Sequence, residues 1–230
     1  MSYYSYKCIL EYIPSRYCGL SNKQQADRQA VYDFKDGRCS STLKEQIVDK
    51  IQSIIGQNPS AWVVCFIPAS TKDKQMRRYG ILTSYLNNRL ACPVYIDGID
   101  VAYDRESGYT SGKTGDPTSN MVFNSSRFSG KKVILIDDVR TRGVTFERTA
   151  DKLVAHGAAS VYGVFVAQTI HPNLPIDSTP RHRGGYYDEV LDDILAEELY
   201  QDEIANEIME EELYQEQAEM DYLYEIGELY

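Results

Sequence analysis

Residues 133–145 read VILIDDVRTRGVT. Four apolar residues, Val133–Ile136, give way to two adjacent carboxylates, Asp137 and Asp138, and then to a turn carrying Thr141, Arg142, Gly143, Val144 and Thr145. A glycine in such a turn lets backbone N–H groups approach a ligand closely. The helix expected to follow adds donors without intrahelical acceptors and the positive end of its dipole. The hydroxyls of Thr141 and Thr145 and the planar cation of Arg142 join that set, making an anion cradle of the size of one phosphate. The two carboxylates just ahead are acceptors suited to the two hydroxyls of a sugar diol. Phosphate and diol on one molecule describe a ribose 5-phosphate.

The same segment resembles the signature of the type I phosphoribosyltransferases, where two acidic residues close a buried strand and a Thr/Ser/Gly-rich loop holds the 5-phosphate of phosphoribosyl pyrophosphate (PRPP). Residues 62–80, WVVCFIPASTKDKQMRRYG, are similar to the ComF (competence protein F) branch of that family, in which a buried strand ends in a Pro-containing loop and an Arg-rich helix follows. Tyr32-Asp33-Phe34-Lys35 resembles that branch's aromatic-then-Lys strand, and Asn120–Arg127 its Asn/Arg segment. The resemblance covers about residues 30–168 and is strongest over 133–158.

It implies a transferase that moves ribose 5-phosphate from PRPP to a base or amine and releases pyrophosphate. Asp137 and Asp138 would hold the sugar, and Thr141, Arg142, Gly143, Val144 and Thr145 the 5-phosphate. Pro68, Ala69, Ser70, Thr71 and Lys72 would form the pyrophosphate loop. Magnesium carried by PRPP, near Asp137 and Asp138, would offset the negative charge developing on the leaving group, as would Lys72 with Arg77 or Arg78.

Three departures keep other readings open. The zinc-ribbon cysteines often found ahead of a ComF domain are missing, so a DNA-uptake role does not carry over. Thr141 stands where some purine-base relatives carry an acid, and it cannot act as a general base at neutral pH. Arg142 replaces the usual Thr or Ala before the loop glycine. The alternatives are a catalytically weak PRPP- or nucleotide-binding regulatory protein and a ComF-like accessory factor that handles DNA.

Such a site needs elements to position it, and strand and helix patterns alternate through the chain. Ser41-Thr42-x-x-Glu45 reads as a capping box opening a helix that runs to Ile55, where Asn58-Pro59 breaks the pattern. The apolar run Trp62–Ile67 predicts a strand buried on both faces. A helix over Asp73–Leu90 and a short strand over Pro93–Ile96 follow. Residues 104–130, rich in Gly, Ser and Thr, read as a long loop able to cover a site. Val133–Ile136 predicts a second buried strand, Thr145–His156 a helix ended by Gly157, and Val161–Val166 a third strand.

The sum is an α/β fold with a doubly wound, mostly parallel sheet, whose ligands bind at the carboxyl ends of the strands. Strand-like stretches at Lys7–Ile13 and Val31–Phe34 suggest that residues 1–40 add to the sheet edge or form a small hood. The core is expected over 41–170, a linker over 171–185 and an acidic extension over 186–230.

That extension explains the net charge of −10: it carries 17 of the 34 acidic residues and none of the 24 basic ones. The remaining chain therefore has 24 basic residues against 17 acidic ones, a mildly basic body. Within the extension, Glu197–Gln201 recurs as Glu211–Gln215, two heptads on, and would share one helix face. It reads as a solvated acidic helix or disordered tail, a helix for a protein partner, or an intramolecular cover for the basic body.

With 43% hydrophobic and 25% charged residues the chain is expected to be globular rather than disordered. No apolar run approaches the roughly 20 residues a bilayer span needs, so no membrane partner is expected. Five widely spaced cysteines describe neither a disulfide framework nor a zinc ribbon, and point to reduced thiols in the cytoplasm. Gly108–Thr114 resembles a P-loop but is one residue short between its glycines, with no strand before it. His156 suits a helix C-terminus, and neither His171 nor His182 has metal-ligand spacing.

Overall fold

A computed structural model describes residues 4–103, 116 and 118–176. The P-loop-like segment Gly108–Thr114, the repeats of the extension and the rest of residues 177–230 lie outside the described residues. The elements follow in the order β1 (Tyr6–Tyr12), α1 (Asn22–Lys35), α2 (Ser41–Ile55), a 3-10 turn (Pro59–Ala61), β2 (Trp62–Phe66), α3 (Lys72–Arg89) and β3 (Val94–Tyr95). There follow β4 (Ile99–Val101), β5 (Met121–Phe123), α4 (Ser125–Phe128), β6 (Lys132–Arg140), α5 (Val144–Ala155) and β7 (Ser160–Thr169). No helix among the described residues is long and apolar enough to cross a membrane.

Five parallel strands form the main sheet in the order β1-β7-β6-β2-β3. Its central strands need apolar residues on both faces, which is why β2 and β6 are unbroken apolar runs. Val64, Phe66, Ile134 and Ile136 point into a core shared with α1, α2 and α3. Val63, Cys65, Val133 and Leu135 point the other way, into a core shared with α4 and α5. Burial there pushes the Cys65 thiol up to about 12, as suits a packing residue. The doubly wound parallel sheet expected from the alternation of patterns is the fold observed.

Several elements depart from expectation. Val31–Phe34 belongs to helix α1, not to a strand. Ser21 caps that helix in a reciprocal box with Gln24, and Asp27, Val31 and Phe34, spaced by four and three, share its buried face. The alternation of Val31, Tyr32, Asp33 and Phe34 imitates a strand only when read without the cap upstream. The aromatic-then-Lys segment 32–35 is thus helical as well, and Lys35 closes the helix.

Helix α2 is capped by Ser40, whose hydroxyl accepts from the Leu43 N–H at 3.2 Å. Glu45, expected in a capping box, instead accepts from the Tyr85 hydroxyl and pairs with Arg89 at 2.8 Å. Nor is all of 104–130 loop. β5 pairs antiparallel with β4, and α4 buries Phe128. Elements of three and four residues are too short to show a period. Strand β6 runs four residues past its apolar stretch, because β7 continues beside it with Asp137 opposite Phe165 and Arg140 opposite Gln168.

Candidate functional site

Winding sets the location. From β2 the chain passes through α3 to β3 on one side, and from β6 through α5 to β7 on the other. Helices α3 and α5 pack on opposite faces of the sheet. The loops leaving β2 and β6 therefore diverge, and a crevice opens at the carboxyl ends of these two neighbours, where α/β sheets take ligands. The strands stay in register to their ends, with Phe66 opposite Ile136 and the Ile67 N–H bonded to the Ile136 carbonyl at 2.9 Å. Both expected binding loops, 68–72 and 141–145, start from this place.

Asp137 and Asp138 end up in different surroundings. Asp137 is half-buried and its Oδ1 accepts from the Tyr79 hydroxyl at 3.3 Å. Asp138 is 2% exposed and turns toward α1 and α3. Its Oδ2 lies 2.6 Å from Arg78 Nη1 and 3.5 Å from Lys35 Nζ, and its Oδ1 accepts from the Val139 N–H at 2.6 Å. Burial opposes ionisation of Asp138, but Arg78, Lys35 and the Val139 N–H together outweigh it and hold the carboxyl below the usual range. Tyr79 is driven the other way, well above an ordinary phenol, by burial and by the charge of Asp137. Of the two expected diol acceptors, Asp137 is a half-open carboxylate and Asp138 is engaged by two cations.

The turn after β6 has the anticipated form. Gly143 adopts φ +87° as the N-cap of α5, a backbone conformation that disfavours residues with a Cβ. Thr141, Val144 and Thr145 are half-buried and Arg142 is exposed. Gln168, on β7, fixes the turn from below: its Nε2 donates to the carbonyl oxygens of Arg140 at 2.9 Å and Thr141 at 3.3 Å. The Arg140 side chain lies beneath Gly143, over the ring of Tyr6 and 3.6 Å from Glu147.

In the other loop Ala69 is buried while Ser70 and Thr71 are half-buried. Thr71 caps α3, accepting from the Lys74 N–H at 3.2 Å. Lys72 is exposed at the first position of α3, with its Nζ 3.3 Å from Asp100 of β4. Arg77 points to Asp36 at 3.9 Å, whereas Arg78 is nearly buried against Asp138.

Lys35, Gln168, Tyr79 and Arg140 were not among the expected site residues. Lys35 stood in the aromatic-then-Lys segment without a role in the site, and a glutamine late in a strand carries no local signal; only the fold brings either to β6. Arg140 lies inside the 133–145 motif without an assigned role, and the question of where a charge at the end of a buried strand can go would have singled it out.

No protein-family model matches the chain. Over 98 residues it is 34% identical to a protein named "Putative ribose-phosphate pyrophosphokinase 2" from Lactococcus lactis, a match covering 43% of this chain and 25% of that protein. The chain thus spans about a quarter of the length of that curated relative. Among solved structures it is similar to a hypoxanthine-guanine phosphoribosyltransferase from Bacillus anthracis, with 16% identity, 60% of this chain and 69% of that one covered, and a TM-score of 0.36. It is also similar to a hypoxanthine phosphoribosyltransferase from Trypanosoma cruzi complexed with IMP, with 18% identity, 66% and 84% coverage, and a TM-score of 0.36.

Proposed function

We propose that the chain is a PRPP-dependent phosphoribosyltransferase whose site is the crevice between β2 and β6. The observation that carries this reading is the meeting, at one switch point, of a glycine-capped helix start after an acidic strand end with a second hydroxyl-capped helix start. Two helix amino ends opening from neighbouring strands suit a ligand with an anionic group at each end. PRPP is such a ligand. The relative named for ribose-phosphate chemistry supports assigning the sugar phosphate to this chain's site.

In this reading residues 141–145 take the 5-phosphate and 68–72 the pyrophosphate. Asp137 accepts from a ribose hydroxyl. Asp138 keeps Arg78 and Lys35 in place behind it, a positioning role rather than a second sugar contact. As the bond from C1 to the pyrophosphate oxygen breaks, its electron pair leaves with pyrophosphate and positive charge builds on the sugar. The acceptor nitrogen forms the new bond to C1 and gives up its proton to the departing pyrophosphate or to water. Lys72 would release Asp100 to meet the leaving group. Asp137 would face a magnesium ion carried by the substrate, whose chemistry would be to offset charge on the pyrophosphate; among the described residues no cluster of three or more His, Cys, Asp or Glu is placed to hold a metal ion.

Within the family, placement near the ComF branch rests on residues 62–80 and 120–127, because the 32–35 segment is helical here. A second reading, PRPP binding without efficient turnover, is favoured by Thr141, which offers no general base beside the cradle.

Calorimetry with Mg·PRPP tests binding, and pyrophosphate release against a panel of bases and amines tests turnover. Wild-type protein should bind PRPP, and Asp137→Asn should weaken it about tenfold or more with the fold intact. No PRPP binding by the wild type would overturn both readings. Binding without release against any acceptor would favour the second.

A further inference from the structure

We propose that Arg140 is a positioning residue of the 5-phosphate subsite, held in place by the edge strand β1 through Tyr6. The inference rests on the reading of 141–145 as the phosphate cradle. Arg140 closes β6, and its side chain folds back under the turn that follows. A Cβ built on Gly143 would lie 2.5 Å from Arg140 Nη2, 2.8 Å from Cζ and 2.9 Å from Nε. The guanidinium therefore fills the space a side chain at 143 would take, directly against the N-cap of α5.

A cation in that position is opposed by the helix dipole, whose amino end is itself positive. Two described neighbours offset this in part. Glu147 of the first turn of α5 approaches to 3.6 Å, and the ring of Tyr6 lies 4.0 Å below the guanidinium carbon, within cation–π range. The Arg140 Nε is buried with no hydrogen-bond partner among the described residues. The arrangement concentrates positive potential under the cradle and leaves it to be completed by an anion above. Because the side chain is only 14% exposed, that potential is weakly screened.

Strand β1 supplies the support. Tyr6 packs edge-on against Phe165 of β7, with centroids 6.0 Å apart, which fixes the ring under Arg140. Two residues on, the Cys8 thiol donates to Gln168 Oε1 at 3.6 Å, and Gln168 in turn donates to the Arg140 and Thr141 carbonyls. The edge strand thus reaches the phosphate turn twice, once through a side-chain cation and once through its backbone.

The test is calorimetry on the full chain with Mg·PRPP, ribose 5-phosphate and pyrophosphate as separate probes. Arg140→Met, which keeps most of the stem, should weaken ribose 5-phosphate and PRPP about tenfold and leave pyrophosphate within about twofold. Arg140→Lys should recover part of the loss. Tyr6→Leu should weaken the same two ligands less, and Tyr6→Phe should match wild type. Equal losses for ribose 5-phosphate and pyrophosphate would show a merely structural role and overturn the proposal, as would unchanged affinities. Should Arg140→Met fail to fold, Tyr6→Leu reads the same subsite, and unchanged affinity there overturns it. If the wild type binds pyrophosphate but neither PRPP nor ribose 5-phosphate, the cradle reading falls and this inference with it. Wild-type binding with an indifferent Arg140→Met sinks this inference alone.

Discussion

Arg78 Nη1 and Asp138 Oδ2 lie 2.6 Å apart where both side chains are nearly closed to water. Lys35 adds a second cation from another helix. Breaking a buried pair of this kind typically costs about 3–5 kcal/mol. Asp138→Asn should therefore lower stability by about that amount in urea unfolding at pH 7. Replacing Arg78 and Lys35 by Met in the same protein should recover much of the loss. The folded carboxyl titrates below its unfolded value, so its contribution is present above about pH 4 and fades as pH falls through the folded pKa. A mild loss of stability in Asp138→Asn at neutral pH would mean that the cations find other partners.

Gln168 makes a distinct prediction, because it touches the turn only through backbone carbonyls. Gln168→Leu removes two donors from the turn and leaves its residues unchanged. Global stability should fall by about 0.5–1.5 kcal/mol. Amide hydrogen exchange should quicken selectively at 141–145, and PRPP affinity should drop with it. Unchanged exchange at the turn would show that Gly143 and the helix start hold its shape unaided.

These dependencies mark where the sequence speaks and where it is silent. Apolar runs at 62–67 and 133–136 announce the two central strands, because burial on both faces excludes polar residues over their length. The acidic end, the glycine and the threonines announce the turn, since its backbone shape and its charge demand them. Lys35 and Arg78 reach Asp138 only after α1 and α3 have packed on one face of the sheet, and no spacing along the chain encodes that meeting. The misreading of Val31–Phe34 has the same origin. Four residues fit either period, and the cap that decides lies ten residues upstream at Ser21. Gly163 looks like a blemish in a strand until Phe146 arrives from α5.

That glycine can be tested directly. A Cβ at Gly163 would lie 2.8 Å from ring carbons of both Phe146 and Phe165. The rings meet edge to face with centroids 5.3 Å apart, and both are buried. Gly163→Ala should cost about 1–3 kcal/mol through overpacking, despite alanine's lower backbone entropy cost. Trimming Phe146 to Leu in the same protein should make the alanine cheaper, a coupling that a double-mutant cycle by thermal unfolding would read. Additive losses would mean the strain is relieved elsewhere.

Asp116 offers a last test, this one by pH. Its Oδ2 lies 2.8 Å from Lys152 and its Oδ1 3.5 Å from Arg148, both on α5, and it accepts from the Thr118 N–H at 2.9 Å and the Thr118 hydroxyl at 2.6 Å. Partial burial works against its charge, yet these donors prevail and bring the carboxyl down to about 2. A carboxyl whose folded pKa lies below its unfolded one stabilises the protein only while ionised. The contribution is complete above about pH 4, shrinks as pH falls toward about 2, and is gone below that. With the side chain 38% exposed, solvent screening keeps it small, about 1 kcal/mol at neutral pH. Asp116→Asn should thus be slightly less stable than wild type at pH 7 and equal to it below about pH 2, with the curves converging as pH falls from about 4. Arg148→Met and Lys152→Met should each remove part of the difference. A constant gap from pH 7 down to 2 would mean that Asp116 acts through hydrogen-bond geometry and not through its charge.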